Sequence, residues 1–231
     1  MRKIKKFTGN ENHLVTLAEV NEYTRNYRKY FGEKQPAGGF FKKQAVLSLI
    51  QQNDAVGIRY YYGIDDNQQL HLILTGVSAD RSDLLEGEPL KVSVLNPLID
   101  VKNHSTTGQI AHSISMAAAA ATTAAYRNTA ETHQPKGGFF GKEVLKAILW
   151  QDNCTGLRFY YGANDDGKRV ICLMGVDTYA QDMIDGILAE KSYWCPPFCA
   201  DFNFLNSDIN RTTTAIAHLK KVASKKHYSL I

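Results

Sequence analysis

Residues 35–41 read QPAGGFF, and residues 134–140 read QPKGGFF. The same offset of 99 residues continues without a gap through the triplets Tyr61-Tyr62-Gly63 and Tyr160-Tyr161-Gly162. A fixed offset of this kind is typical of an internal repeat, in which each copy forms one supersecondary unit. We therefore predict a single domain over residues 1–231, with repeat 1 at residues 12–105 and repeat 2 at residues 106–205.

Each repeat has the pattern of two helices followed by a β-hairpin. Apolar residues recur at helical spacing over residues 13–31 and 42–52, and over the matching residues 113–129 and 142–151. Because glycine and proline interrupt helices, we expect QPxGG to be a turn, with the two phenylalanines after it stapling the second helix to the core. The alanine-rich leading helix of repeat 2 is expected to be buried.

These patterns predict an α+β fold of internally duplicated helix–helix–hairpin modules, related by pseudo-twofold symmetry and containing antiparallel sheet. In the first hairpin strand, Ile58, Tyr60 and Tyr62 alternate with Arg59 and Tyr61. The alternation places the first three on the side covered by helices and the other two on the opposite face. A short strand at residues 90–95 and a C-terminal helix at residues 207–225 complete the prediction.

The composition is that of an ordinary globular protein, since 44% of residues are hydrophobic and 22% are charged. No apolar run approaches the length of a membrane helix, and the basic start is not followed by the apolar core of a signal peptide. We therefore expect a cytoplasmic protein without a membrane partner. The net charge of +4 lies mainly at the two ends, and this modest value disfavours nucleic acid as a partner.

A longer pattern of motifs carries a resemblance to a known family. It comprises GGFF, a lysine and an apolar helix, then GxRxYYGxxD and a return strand that ends in Gly-Val. This pattern resembles an uncharacterised bacterial family in which the module occurs in single and double copy. The CPPxC element at residues 195–199 is also similar to that family, whereas repeat 1 has Asn-Pro-Leu-Ile-Asp at the matching place. The resemblance covers nearly the whole of both repeats and implies the module without implying an activity.

The cysteines and histidines offer no recognised metal or catalytic pattern. With four cysteines and no signal peptide, we expect thiols, and we favour a rigid corner with buried thiols at Cys195 and Cys199 over a disulfide that closes the loop. Two cysteines without a second ligand pair do not make a structural zinc site, so no metal or other cofactor is predicted. The seven histidines show no ligand spacing, and we assign none a counterpart in the other repeat.

Six polar and aromatic residues retained in both repeats define a predicted ligand-binding groove: Lys43, Arg59, Tyr61, Lys142, Arg158 and Tyr160. Each lysine lies at the start of a helix, where the macrodipole disfavours a cation. One explanation, which we favour, is a salt bridge to the retained Asp83 or Asp182. The other is a bound carboxylate or phosphate at the glycine-led helix start, completed by the arginine of the same repeat.

We therefore predict a non-enzymatic binding module whose partner is a small anion or another protein. The alternatives are an enzyme with a single site at the repeat interface and a weak anion or nucleotide binder. A binding module predicts that both repeats keep the groove residues, whereas a single enzyme site predicts polar residues that only one repeat holds. No catalytic motif was found to settle this choice.

Overall fold

The computed structural model describes residues 6–33, 35–86, 90–95 and 112–207. These residues form four helices: α1 (Leu17–Phe31), α2 (Lys43–Ile50), α3 (Met116–Thr129) and α4 (Lys142–Leu149). They also form eleven strands: β1 (Gly38–Lys42), β2 (Ala55–Ile64), β3 (Leu70–Ser78), β4 (Asp83–Leu84), β5 (Leu90–Val92), β6 (Val94–Leu95), β7 (Ser113–Ile114), β8 (Gly137–Gly141), β9 (Gly156–Ala163), β10 (Arg169–Val176) and β11 (Tyr193–Cys195). The predicted helix at residues 207–225 lies almost wholly outside the described residues.

The strands form two antiparallel sheets. One has the order β10-β9-β1-β6, and the other has the order β11-β8-β2-β3-β5-β7, with β4 paired to β3. The α+β class with antiparallel sheet is therefore confirmed. In the described part of the chain, no helix is both long and apolar enough to cross a membrane.

The two halves follow the same order of elements. The series α1-β1-α2-β2-β3 is followed by α3-β8-α4-β9-β10. The elements α1, β1, α2 and β3 each begin 99 residues before α3, β8, α4 and β10. The strand at 90–95 is resolved into two short pieces, β5 and β6.

The GGFF segments are strands that each half donates to the other, so our prediction that the glycines form a turn was wrong, whereas Phe41 and Phe140 do pack into the main core just before the short helices. Strand β1 pairs with β9, and β8 pairs with β2. The registers are reciprocal, since Gly38 lies opposite Tyr160 and Gly137 lies opposite Tyr61. A Cβ atom at Gly38 would lie 2.0 Å from the carbonyl oxygen of Phe159, so glycine is required by close backbone approach rather than by a turn.

Two histidines cap the short helices across the same boundary. The Nε2 atom of His13 accepts a hydrogen bond from the backbone N–H of Gly141 (3.0 Å), and that of His112 accepts from Lys42 (3.1 Å). His13 and His112 are 99 residues apart, so our statement that no histidine has a counterpart was wrong. Because Gly141 and Lys42 are the N-cap residues of α4 and α2, each ring accepts from the N-cap backbone N–H, the group that the N3 side chain satisfies in a capping box.

The main core lies where the two hairpins and the short helices meet. It includes Ile58, Tyr60 and Tyr62 from β2 together with Leu157 and Phe159 from β9, which confirms the predicted face for the first three. Helix α3 is less buried than expected, because only Ala119, Thr123 and Tyr126 among its residues are buried. Three of its other alanines are exposed and three are partly buried.

The pair Cys195 and Cys199 forms a disulfide, so the favoured prediction of two buried thiols was wrong. Cys154 and Cys172 are free and buried. The disulfide begins the segment at residues 195–206, which packs against the outer face of β2 through Cys195 and Leu205.

Candidate functional site

The six predicted groove residues do not form one groove in the structure. The Nζ atom of Lys43 lies 3.4 Å from the carbonyl oxygen of Cys154, and that of Lys142 lies 3.4 Å from the carbonyl oxygen of Ala55. The favoured salt bridge of these lysines with Asp83 or Asp182 is wrong, because both carboxylates bind arginines instead. Each lysine therefore contacts a backbone carbonyl oxygen at or just before the start of the hairpin in the opposite half.

The first Arg–Asp–Tyr cluster comprises Arg59, Asp83 and Tyr61. Arg59 is fully buried and forms an ion pair with Asp83, whose other oxygen accepts a hydrogen bond from the Tyr61 hydroxyl (2.6 Å). The guanidinium also donates to the carbonyl oxygens of Arg81 (3.2 Å) and Phe198 (3.1 Å). Burial alone would lower the pKa of Arg59, but the Asp83 carboxylate raises it. This arginine is held internally.

The second Arg–Asp–Tyr cluster comprises Arg158, Asp182 and Tyr160, each 99 residues after its counterpart. Arg158 Nε lies 3.1 Å from Asp182, and Tyr160 donates a hydrogen bond to the same carboxylate. The side chain of Asp182 is 25% exposed, whereas that of Asp83 is 1% exposed. Burial and the Asp182 carboxylate raise the pKa of Tyr160 to about 12. The structure thus joins arginine and tyrosine within each repeat, without the lysines.

A different group of aromatic residues lies where the two halves meet. Tyr27 stacks on Tyr161 with ring centroids 5.6 Å apart, and Tyr126 stacks on Tyr62 at 5.1 Å. These pairs are reciprocal, because Tyr126 follows Tyr27 by 99 residues and Tyr161 follows Tyr62 by the same number. The rings of Tyr62 and Tyr161 are 6.4 Å apart. We call these four buried residues the tyrosine cluster.

One residue beside the tyrosine cluster breaks the repeat. Arg169 begins β10, whereas the matching residue of β3 is the buried Leu70. The guanidinium carbon of Arg169 lies 3.7 Å from the ring centroid of Phe31 and 5.9 Å from that of Tyr126. Arg169 is thus a cation that lies between aromatic rings. The other half has no cation at the matching position.

Hydrogen bonding in the tyrosine cluster is also unequal. The hydroxyl of Tyr126 donates to the carbonyl oxygen of Pro135 (3.2 Å), and that of Tyr161 donates to the carbonyl oxygen of Leu70 (2.9 Å). The buried hydroxyls of Tyr27 and Tyr62 make no hydrogen bond of good geometry among the described residues, although Arg169 lies beside the first and Tyr60 beside the second. The buried Nε of Arg169 also has none there.

The charge of Arg169 acts on all four phenols. Burial raises the pKa of Tyr27, Tyr62 and Tyr161 above the usual value and that of Tyr126 to about 12, and the Arg169 cation opposes each rise. The phenols therefore stay protonated at neutral pH. In the described part of the chain, Arg169 forms no ion pair with a carboxylate. The site thus offers one cation and two protonated hydroxyls to an acceptor.

Two surface clefts have none of these four tyrosines among their lining residues. One has a volume of about 570 Å³ and is lined by α1 residues that include Arg25 and Arg28. The other, of about 420 Å³, is lined by four aspartates among other residues: Asp152, Asp177, Asp182 and Asp185. Both are open, and their charged side chains are accessible to water. Among the described residues, no group of three or more metal-ligating side chains is arranged to hold a metal ion.

Comparison of the chain with models of protein families, with curated proteins and with solved structures finds no match. The candidate site therefore stands on geometry alone. It could have been found in the sequence by applying the 99-residue offset to Tyr27 and Tyr126 and to Leu70 and Arg169. Both halves have tyrosine, at positions 27 and 126. Position 169 is an arginine, whereas the matching position 70 is a leucine.

Proposed function

We propose that this protein binds a small carboxylate at Arg169, beside the tyrosine cluster. One observation carries the proposal. The guanidinium lies against the rings of Phe31 and Tyr126 and has no carboxylate partner among the described residues. The buried hydroxyls of Tyr27 and Tyr62 beside it make no hydrogen bond of good geometry there. The contrast with Arg59, whose guanidinium has an aspartate and two carbonyl oxygens, supports a site that is completed by a ligand.

The energetic argument rests on unmade hydrogen bonds. A buried polar group without a partner costs about 1–3 kcal/mol, and a charged group costs more. Tyr27, Tyr62 and Arg169 together present three such atoms. An anion that accepts from even one of these groups removes part of that cost, so binding gains free energy that a solvated surface arginine would not supply.

The geometry favours a carboxylate over other anions. A guanidinium that stacks on a ring keeps its N–H groups in its own plane, where they match the two oxygens of a carboxylate. The described residues supply only one cation at this place, and multiply charged phosphates are commonly held by several donors. The carboxylate can belong to a free organic acid or to a peptide, and the binding experiment must separate these sources.

Binding is better supported than catalysis by the protonation of the phenols. Because burial raises the pKa of Tyr27 and Tyr62, neither hydroxyl serves as a base at neutral pH. Both instead act as hydrogen-bond donors. By the criterion of the sequence analysis, a polar residue that only one half holds favours a single site where the halves meet, and the protonated phenols favour binding over catalysis at that site.

The test measures thermal stabilisation by benzoate, acetate, a short peptide with a free C-terminus, its amidated form and inorganic phosphate, at constant ionic strength. We expect benzoate or the free peptide to raise the melting temperature, and the amidated peptide to have no effect. Arg169→Gln should abolish the shift. Arg25→Gln, an exposed control on α1, should keep it.

Calorimetric titration of the best ligand then gives the affinity for each variant. Equal affinity of the wild type and Arg169→Gln would refute the site. Stabilisation by phosphate but by no carboxylate would refute the ligand class and leave an anion site of another kind.

A further inference from the structure

The disulfide between Cys195 and Cys199 lies at the contact between residues 195–206 and the outer face of β2. It closes a loop with a sequence separation of 4, and it begins the segment at residues 195–206. Cys195 is buried, whereas Cys199 is partly exposed. The other two cysteines, Cys154 and Cys172, are buried and remain thiols.

The segment supplies two of the groups that complete the first Arg–Asp–Tyr cluster. The carbonyl oxygen of Phe198, inside the disulfide loop, accepts a hydrogen bond from Arg59 Nη2 (3.1 Å). The side-chain amide of Asn203 donates to Asp83 Oδ2 (2.9 Å). Leu205 is buried in the apolar cluster that contains Tyr61. Displacement of the segment would therefore expose a buried ion pair.

A bond that closes so short a loop restricts the unfolded chain only slightly, because the entropy of loop closure grows with loop length. Its main effect is local: it fixes the turn that directs the Phe198 carbonyl oxygen at Arg59. Because Cys199 is the partly exposed residue of the pair, it is the side from which a thiolate can approach the bond.

We infer that Cys195 and Cys199 form a reversible redox site that holds the segment at residues 195–206 over the Arg59–Asp83 ion pair. The reductant is a dithiol. Its first thiolate attacks the Cys199 sulfur, and a mixed disulfide forms while Cys195 leaves as a thiolate and takes up a proton. Its second thiol then attacks the mixed disulfide, which releases Cys199 and closes the reductant's own disulfide. Two electrons and two protons pass to the protein.

Reduction frees the Phe198 carbonyl oxygen from its fixed place, and the segment then separates from the outer face of β2. The ion pair between Arg59 and Asp83 remains formed, but it becomes accessible to solvent. The change is confined to this face, because the main core contains residues of both halves but neither cysteine of the disulfide.

The experiment treats the folded wild-type chain with dithiothreitol and then with iodoacetamide, and counts the alkylated cysteines by mass spectrometry. We expect Cys195 and Cys199 to be alkylated, and Cys154 and Cys172 to stay protected. Hydrogen exchange of peptides that cover residues 195–206 and 81–84 should become at least about tenfold faster, whereas α1 exchanges as before. Re-oxidation should restore the slow exchange.

Two variants sharpen the result. The double variant Cys195→Ser, Cys199→Ser should exchange like the reduced chain under all conditions, and Cys154→Ser should respond to dithiothreitol like the wild type. The inference is overturned if dithiothreitol leaves both sulfurs unreactive, or if the reduced and oxidised segments exchange at the same rate. Alkylation of all four cysteines would also overturn it, since the bond would then support the whole fold.

Discussion

Arg59 and Arg169 each place a buried Nε inside the protein, but among the described residues only Arg59 is paired with a carboxylate there. Arg59 pairs with Asp83 and donates to the carbonyl oxygens of Arg81 and Phe198. Arg169 lies against Phe31 and Tyr126, and its buried Nε has no partner among the described residues. Both arginines leave Nε without a partner among the described residues, so the difference lies in the Nη atoms: those of Arg59 have a carboxylate and two carbonyl oxygens, whereas the partly exposed Arg169 has no carboxylate there.

The largest effect should come from removing the acceptor of Arg59. Asp83→Asn leaves the guanidinium buried and unpaired, and we expect the free energy of unfolding to fall by about 3–5 kcal/mol. Asp182→Asn is the matched control in the second cluster. Because the side chain of Asp182 is 25% exposed, its loss should cost only about 1 kcal/mol. Urea denaturation measures both, and equal losses would contradict the comparison.

The tyrosine cluster allows the same comparison between matched hydroxyls. Tyr126→Phe removes the donor to Pro135 and should lower the free energy of unfolding by about 1–2 kcal/mol. Tyr27→Phe removes a buried hydroxyl without a partner and should raise the free energy of unfolding by about 1 kcal/mol. With saturating benzoate the order should reverse, because Tyr27→Phe loses a ligand contact. If both variants lose the same stability without ligand, the Tyr27 hydroxyl has a partner in solution.

The substitution Arg169→Leu installs the residue that the other repeat has at this position. Leucine removes an unpaired charge and retains apolar contact, so we expect the ligand-free protein to gain about 1 kcal/mol. The variant should no longer be stabilised by carboxylates. Chemical denaturation with and without benzoate tests both points, and a clear loss of stability without ligand would show that Arg169 is structural.

His13 shows a third way to bury a basic side chain, which is to keep it neutral. Burial lowers the pKa of His13, so the unfolded chain binds the proton more tightly than the folded one. We therefore expect a modest loss of stability as the pH falls below about 6.5, and no contribution from this group above that value. Urea denaturation of the wild type and of His13→Gln at several pH values from 7.5 to 5 measures this effect as the difference between their free energies of unfolding. Parallel curves would contradict it.

The sequence predicted those features that depend on local patterns. Alternation assigned Tyr60 and Tyr62 to the core face, and helical spacing found the leading and short helices. The GGFF strands were missed because glycine-rich sequence has turn composition, while their pairing partners lie far along the chain in the other half, as in Gly38 with Tyr160 and Tyr61 with Gly137. Such non-local pairing leaves no trace in a single segment.

The site was missed for a related reason. Attention to residues that both repeats retain selected Arg59 and Arg158, whose retention reflects internal ion pairs. Arg169 differs from its counterpart Leu70, so a search for retained residues passes over it. The disulfide could not be derived from spacing, because buried thiols and a closed loop have the same sequence.

The reciprocal donation of β1 and β8 also limits how this chain can be divided. A cut between the halves would leave β2 and β9 each with an unpaired edge, and exposed edges of that kind recruit strands from other chains. A polypeptide with one such unit could cover its edge only by exchanging strands with a second molecule. The covalent link between the halves thus converts an association that would depend on protein concentration into a property of one chain.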